Sequence, residues 1–296
     1  MIEQRTALSG RNNRETAILY NSLAITLTQA NQLEAALQAY RDTLDIYRAM
    51  GMGDQLDAQI VLGNVGTLDL RTGRIKEAET QLKSAFEHQR ALAGDSAAVA
   101  AAMGYYGRAL YMQNRNREAV DALREAADLA TRYAGATSPV ALQNRLFLGE
   151  AQLATGDVTS AARTFKAAHD EAVAQHGDAH PLALRAQIAL ARLAIATGHE
   201  SEARATLGPV IDTLRKLGAQ TQPYLAEALG LLGSAELSRG QTQPAIESLR
   251  EAVAIRERAS PQSWELAQAR QRLSEAMTTA ANPPASGQAK ASRPAP

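Results

Sequence analysis

Two histidines and an aspartate crowd into residues 176–180, His176-Gly-Asp178-Ala-His180, and imidazoles beside a carboxylate are a metal-ligating combination. A zinc pair at this spacing needs both rings on one helical face. The glycine, and the Pro181 that follows, put these two in a connector, so a solvated loop is expected. His199-Glu200 has the opening of a metalloprotease helix without its second histidine. Gly51-Met52-Gly53 suggests a phosphate loop, but such loops follow a strand and this one follows a helical pattern. No nucleophile, base and orienting group stand in a supported set, so no catalytic, cofactor or metal residue is assigned. The stronger signal is a charged series, Arg108, Glu150 and Arg192, at intervals of 42 residues. Two guanidinium groups can clamp the carboxylate of a peptide or a small anion, with the glutamate orienting them or taking a basic group. The alternative is that adjacent repeats satisfy one another through ordinary ion pairs, which are common on helical surfaces.

That interval belongs to the whole chain. Asn31, Gly73, Asn114, Gly156, Gly198 and Gly240 recur at spacings of 42, 41, 42, 42 and 42. Asn and Gly tolerate the left-handed conformation that ends a helix, so each marks a tight turn between two helices. Five residues past each turn stands Ala36, Ala78, Ala119, Ala161, Ala203 or Ala245; four further on stands Tyr40, Leu82, Leu123, Phe165, Leu207 or Leu249. Three further still come Thr43, Ala85, Ala126, Ala168, Val210 and Ala252, which completes one helical face and predicts the buried stripe of each second helix. Seven residues before each turn a small residue, Ala24, Gly66, Gly107, Gly149, Ala191 or Gly233, lets the two helices approach closely. Pro139, Pro181, Pro223 and Pro261 stand at or near first helical turns, where a missing N–H costs nothing.

First helices are therefore predicted near 16–30, 55–72, 96–113, 139–155, 181–197 and 222–239. Second helices fall near 32–50, 74–92, 115–134, 157–176, 199–217 and 241–259. A thirteenth near 262–277, with the lone Trp264, caps the last hairpin. Gly208-Pro209 lies inside the fifth second helix and predicts a kink or break there. The organisation expected is a remnant of a preceding repeat over 1–15, and repeats over 16–53, 54–95, 96–137, 138–179, 180–221 and 222–260. A cap over 261–277 and a disordered Pro/Ala/Ser tail over 278–296 complete it.

Composition agrees with an all-α chain: 45% of the 296 residues are hydrophobic, yet only 4% are aromatic, which favours helices packed through alanine and leucine. Thirty-one basic residues cancel 31 acidic ones, and without a basic excess nucleic acid is not an expected partner. Without cysteine there are no disulfides or thiolate chemistry, and cytoplasm and periplasm both stay open. No signal peptide and no run of about 18 apolar residues is visible, so this segment is not expected to insert in a membrane. Arginine outnumbers lysine, a bias suggesting a GC-rich bacterial gene.

The small residue, turn glycine, alanine, large apolar residue and alanine quoted above resemble the tetratricopeptide repeat over 16 to about 277. The 42-residue period and the element HGDAHPLALRAQIALARL are similar to its longer, kinesin-light-chain-like form. The resemblance implies a right-handed α-α superhelix, a solenoid of about six helix-turn-helix repeats plus a C-terminal capping helix. It further implies a concave groove lined by first helices, with the residue after the small position facing it. In this chain those residues are Ile25, Thr67, Arg108, Glu150, Arg192 and Ser234. Asn21, Asn64, Tyr105, Tyr111 and Arg185 would add amides, rings and a cation suited to extended peptide backbone. A protein or peptide is thus the implied partner, although the lysine-and-asparagine clamp of chaperone-binding members is not matched.

Residues 2–10, IEQRTALSG, look like EHQRALAGD at 87–95, the end of a second helix, so the chain reads as starting in mid-repeat. Met1 is accordingly expected to be an artificial start or to follow further sequence, and an uncapped end would allow a homodimer. LYNSLAITL and SAAVAAAMGYYG are similar to the C-terminal sensory arrays of bacterial Hanks-type serine/threonine kinases. That resemblance implies a sensory or scaffolding region of a larger signalling protein, cytoplasmic or periplasmic, since no kinase element lies in these residues. The alternatives are the ligand- or peptide-sensing domain of a transcription regulator, and a stand-alone cytoplasmic adaptor.

Overall fold

The computed structural model describes residues 11–218, 221–259, 261 and 263–282. Among these are thirteen α-helices: α1 Arg14–Gln29, α2 Leu33–Ala49, α3 Leu56–Arg71, α4 Ile75–Ala93, α5 Ala97–Met112, α6 Asn116–Ala134, α7 Pro139–Ala154, α8 Val158–His176, α9 Pro181–Ala196, α10 Glu200–Leu217, α11 Gln222–Ser238, α12 Thr242–Ala259 and α13 Trp264–Ala281. The fold is an all-α repeat array. The chain divides into two compact units, Met1–Ala151 and Gln152–Pro296, with the boundary inside α7.

Each of the six turns uses its Gly or Asn in the left-handed region, from φ 57° at Asn31 to 85° at Gly73. The amide of the following residue then reaches the carbonyl five positions back, as in Arg74 to Asp69 at 2.8 Å and His199 to Ala194 at 2.8 Å. This 6→1 bond satisfies a helix-end carbonyl and sets the angle of the hairpin. A second series, which the hinge pattern does not contain, closes the second helices: Gly51, Gly94, Gly135, Gly177 and Gly218, with φ between 67° and 91°.

The predicted stripe is the core. The alanine five past each turn is wholly buried in all six hairpins, and its large partners, Tyr40 to Leu249, are at most 4% exposed. Burying each large side chain contributes about 1.5–3 kcal/mol. Where the small residue is glycine, a Cβ would meet the partner leucine at 2.7 Å (Gly66 and Leu82), 2.6 Å (Gly107 and Leu123) or 2.7 Å (Gly233 and Leu249). The glycines are thus required by contact distance alone. In unit 2, half-buried polar pairs tie hairpins internally: Thr164 Oγ1 donates to Gln152 Oε1 at 2.9 Å, and Ser248 Oγ donates to Glu236 Oε2 at 3.0 Å, two repeats on.

Within unit 1, α1 to α6 pack each against the next, and α3 also packs against α5; within unit 2, α8 to α13 do the same, and α9–α11 and α11–α13 add further contacts. These skip-one contacts join first helices of successive repeats and, at the C-terminal end, the last first helix to the cap, so in each unit the first helices form one layer.

Three expectations are corrected. Pro209 does not break its helix: α10 runs through it from Glu200 to Leu217. Gly208 has no Cβ to meet the proline ring, Ala205, whose carbonyl loses its donor, is exposed to water, and Leu207, Val210, Ile211 and Leu214 are buried and hold the helix. The last helix runs past 277 to Ala281, with Thr278 and Thr279 hydroxyls donating to carbonyls one turn back, and stops at Asn282 before Pro283-Pro284. Its start, at Trp264, is set by the Ser263 cap, two residues beyond Pro261. The first helix begins at Arg14, within the segment expected as a remnant, because the Asn13 side chain accepts from the Thr16 amide at 2.9 Å. The expected remnant over 1–10 and tail over 283–296 lie outside the described residues.

Candidate binding faces of the first helices

Residues seven apart on a helix share a face, two turns from one another. Counting back from each turn, the row six residues before it holds Ile25, Thr67, Arg108, Glu150, Arg192 and Ser234; the row thirteen before it holds Ile18, Ile60, Ala101, Gln143, Arg185 and Glu227. None of these twelve residues is buried, although each residue of the first row directly follows a buried small one. The two rows therefore mark the side of each first helix that its own hairpin leaves open.

In unit 1, Arg108 of α5 and Glu150 of α7 are brought together: the guanidinium donates to Glu150 Oε2, and both side chains are less than one-fifth exposed. The same guanidinium lies 4.9 Å from the Tyr111 ring centre and 5.1 Å from that of Phe147, so the cation is flanked by π faces as well as by a carboxylate. Tyr105 joins through an edge contact to Phe147, centroids 6.0 Å apart. Phe147 is absent from the sequence-derived candidates because it lies outside the row followed there. Asn21 and Asn64 are half-buried on α1 and α3, and among the described residues no hydrogen bond or ring contact links them to this cluster.

The same face is apolar at the start of unit 1. Ile18 and Ile25 of α1 are 51% and 42% exposed, and Ile60 of α3 is 39% exposed. Arg14 pairs with Asp57 at 2.9 Å at one end of these helices, and Arg71 donates to Asn31 at 2.7 Å at the other, so α1 and α3 run side by side.

In unit 2, Arg192 pairs with Glu227 of the next first helix, Nη2 to Oε1 at 2.5 Å, and Arg185 lies 5.1 Å from the Tyr224 ring centre. Glu227 and Tyr224 were also missed from the sequence, since a partner 35 or 39 residues away carries no local signal.

His176 and His180 come closer than a solvated loop requires. Their rings stack with centroids 4.3 Å apart, and His180 Nδ1 accepts the Leu182 amide at 3.3 Å as the cap of α9. Burial, and then the neighbouring His176, hold the His180 imidazole below its ordinary range. Among the described residues no group of three or more His, Asp or Glu is placed to hold a metal, and no helix is long and apolar enough to cross a membrane.

Two family models, both of the tetratricopeptide repeat, match the chain: one over residues 57–132, the other over 16–50 and 225–262. No curated protein matches it in sequence. Similar solved structures include nearly identical TPR-like repeats of a putative kinesin light chain from Podosopora anserina (23% identity, TM-score 0.51, covering 70% of this chain and 97% of that one). A Rap protein complexed with competence and sporulation factor is 13% identical, with TM-score 0.63 over 90% of this chain and 76% of that one. The Rap conjugation gene regulator of plasmid pLS20 in complex with the Phr* peptide is 14% identical, with TM-score 0.64 over 88% and 73%. At these identities the likeness is one of fold.

Proposed function

Because the chain belongs to the tetratricopeptide-repeat family, a non-catalytic protein-binding repeat, we propose that it holds a segment of a partner protein or peptide against the open rows of its first helices. The observation that carries this is the contrast within each first helix. The small residue seven before each turn is buried in every hairpin, while the residue beside it is open and changes from isoleucine to arginine to glutamate. In unit 1 the chemistry favours an amphipathic segment: apolar side chains against Ile18, Ile25 and Ile60, and a polar portion at Arg108, Glu150 and Tyr111. The two Rap complexes, one with competence and sporulation factor and the other with the Phr* peptide, give this reading its support from outside the chain.

Photo-crosslinking tests it: a benzoylphenylalanine placed at position 25 or 67 should capture the partner, and one at position 124, on a second helix, should not. Capture from position 124 alone would overturn the proposal.

The setting we infer is the sensory or scaffolding region of a larger bacterial signalling protein of the Hanks-kinase kind, on the resemblance of LYNSLAITL and SAAVAAAMGYYG. A peptide-responsive gene regulator is the second reading, favoured by the Rap conjugation regulator. Kinase elements or a helix-turn-helix encoded in the same reading frame decide between them, and the native mass on an immunoblot, against 31.6 kDa, separates both from a stand-alone adaptor.

A further inference from the structure

One stripe of α1 is open where its counterpart on the next first helix is closed. Leu19, Leu23 and Thr26 stand 42 residues before Val61, Val65 and Leu68 of α3. The α3 residues are at most 3% exposed and share a cluster with Tyr40, Leu44 and Tyr47 of the second helix before them. On α1, Leu23 is 39% exposed, Thr26 is exposed and Leu19 is half-buried. The stripe lies about a third of a turn round the helix from Ile18 and Ile25, so it is distinct from the open rows.

The chemistry of that surface suits burial. From Thr16 to Leu33 no residue is charged, although Ile18, Ser22, Leu23, Ile25 and Thr26 are all exposed. A helix side that stays in water normally carries charge, as α13 does with Glu265, Arg270 and Glu275. The Ser22 and Thr26 hydroxyls donate to the Ile18 and Ser22 carbonyls at 2.8 and 3.0 Å. Covering the stripe therefore leaves no hydroxyl donor without a partner.

Unlike proteins take their register from opposite charges, and this surface supplies none. A two-fold axis needs none, because the same patch stands on both sides and sets its own register. Leu19 and Leu23 flank Ser22, so antiparallel pairing brings the leucines of one copy against those of the other, and no like charges meet. The 16 residues of α1 span about 24 Å, and one helix edge of that length buries less than the roughly 800 Å² per partner of a standard interface, so the pairing is reversible.

We propose that α1 pairs antiparallel with α1 of a second copy of this chain through Leu19, Leu23 and Thr26, about a two-fold axis near Ser22. The pairing stands on α1 alone and goes beyond the partner segment proposed above.

Sedimentation velocity on the full chain between about 1 and 300 μM should show the mass rising from 31.6 kDa toward twice that value. Leu23→Glu places like charges across the axis and should raise the dimer Kd at least about tenfold, as should Leu23→Lys; an equimolar mixture of the two should associate again. The chain has no cysteine, so Ser22→Cys supplies its sole thiol. Mild oxidation should then link two copies, and should not do so at the same concentration with Arg124→Cys on α6. This readout serves if the charged variants do not fold. A monomer at every concentration would overturn the proposal, and so would a dimer whose Kd is the same in both Leu23 variants as in the wild type. Crosslinking from position 67, on α3, does not involve the α1 stripe, so failure of the groove proposal is read separately.

Discussion

Glu150 lies one repeat beyond Arg108 in sequence and accepts its guanidinium in space, so the pair bridges consecutive first helices at the point where the partner is proposed to bind. With both side chains less than one-fifth exposed, the pair escapes most of the solvent screening that makes surface bridges negligible. Glu150→Gln should destabilise the chain by about 1–3 kcal/mol in urea unfolding. Arg108→Met in the same chain should recover part of that loss, since the buried charge goes too. A fully additive double variant would show that the two residues are not coupled.

Gly104→Ala is expected to be costly for a reason unrelated to helix propensity. Its Cβ would fall 2.0 Å from Asn144 Oδ1, and Asn144 is fixed by donating to the Ala100 and Ala126 carbonyls at 3.0 and 3.1 Å. A loss of about 1–3 kcal/mol is predicted, mostly relieved by adding Asn144→Ala. A thermal scan of the three variants decides it.

Pro209→Ala restores an amide to the exposed Ala205 carbonyl in a helix already held by packing. It should stabilise by about 1–3 kcal/mol, with circular dichroism unchanged in shape. A loss of stability would mean that the proline is better accommodated than its missing donor implies.

Acidification should weaken the junction of α8 and α9. In the unfolded chain His180 titrates near its ordinary value of 6.5, whereas burial and His176 lower it in the fold, so the unfolded chain takes up the proton first. Stability is then intact above about 6.5 and falls as the pH drops toward the folded value. Protonation also removes the Nδ1 acceptor that caps α9. His180→Asn keeps a capping oxygen and does not titrate. Its melting temperature should therefore fall less than the wild type's between pH 7.5 and 5, and parallel falls would refute the assignment.

What was legible in the sequence was whatever recurs in it. Asn31 to Gly240 located the hinges, and Ala36, Tyr40 and Thr43 with their equivalents located the core, because each repeat solves the same packing problem with the same residue sizes. The second glycine series escaped notice because Gly51, Gly94, Gly135, Gly177 and Gly218 sit in connectors of unlike sequence. Pairings on the open rows were half legible. Arg108 and Glu150 share a row, but Phe147 and Glu227 become partners only through which face the next first helix presents, which no local pattern encodes. Residue type predicted that charge would matter there without predicting which charge meets which.

The left-handed residues at the ends of the helices have an evolutionary corollary. A helix closed by its own terminator cannot lend or borrow a residue from its neighbour, so an insertion inside a hairpin rotates every later contact by about 100° instead of sliding harmlessly into a loop. Duplicating or deleting a whole 42-residue unit leaves every terminator and every contact rule in place. Such a chain changes its reach by counting modules, and changes what it recognises by editing open-row residues such as Ile25, Arg108 and Arg192, with the scaffold unaltered beneath them.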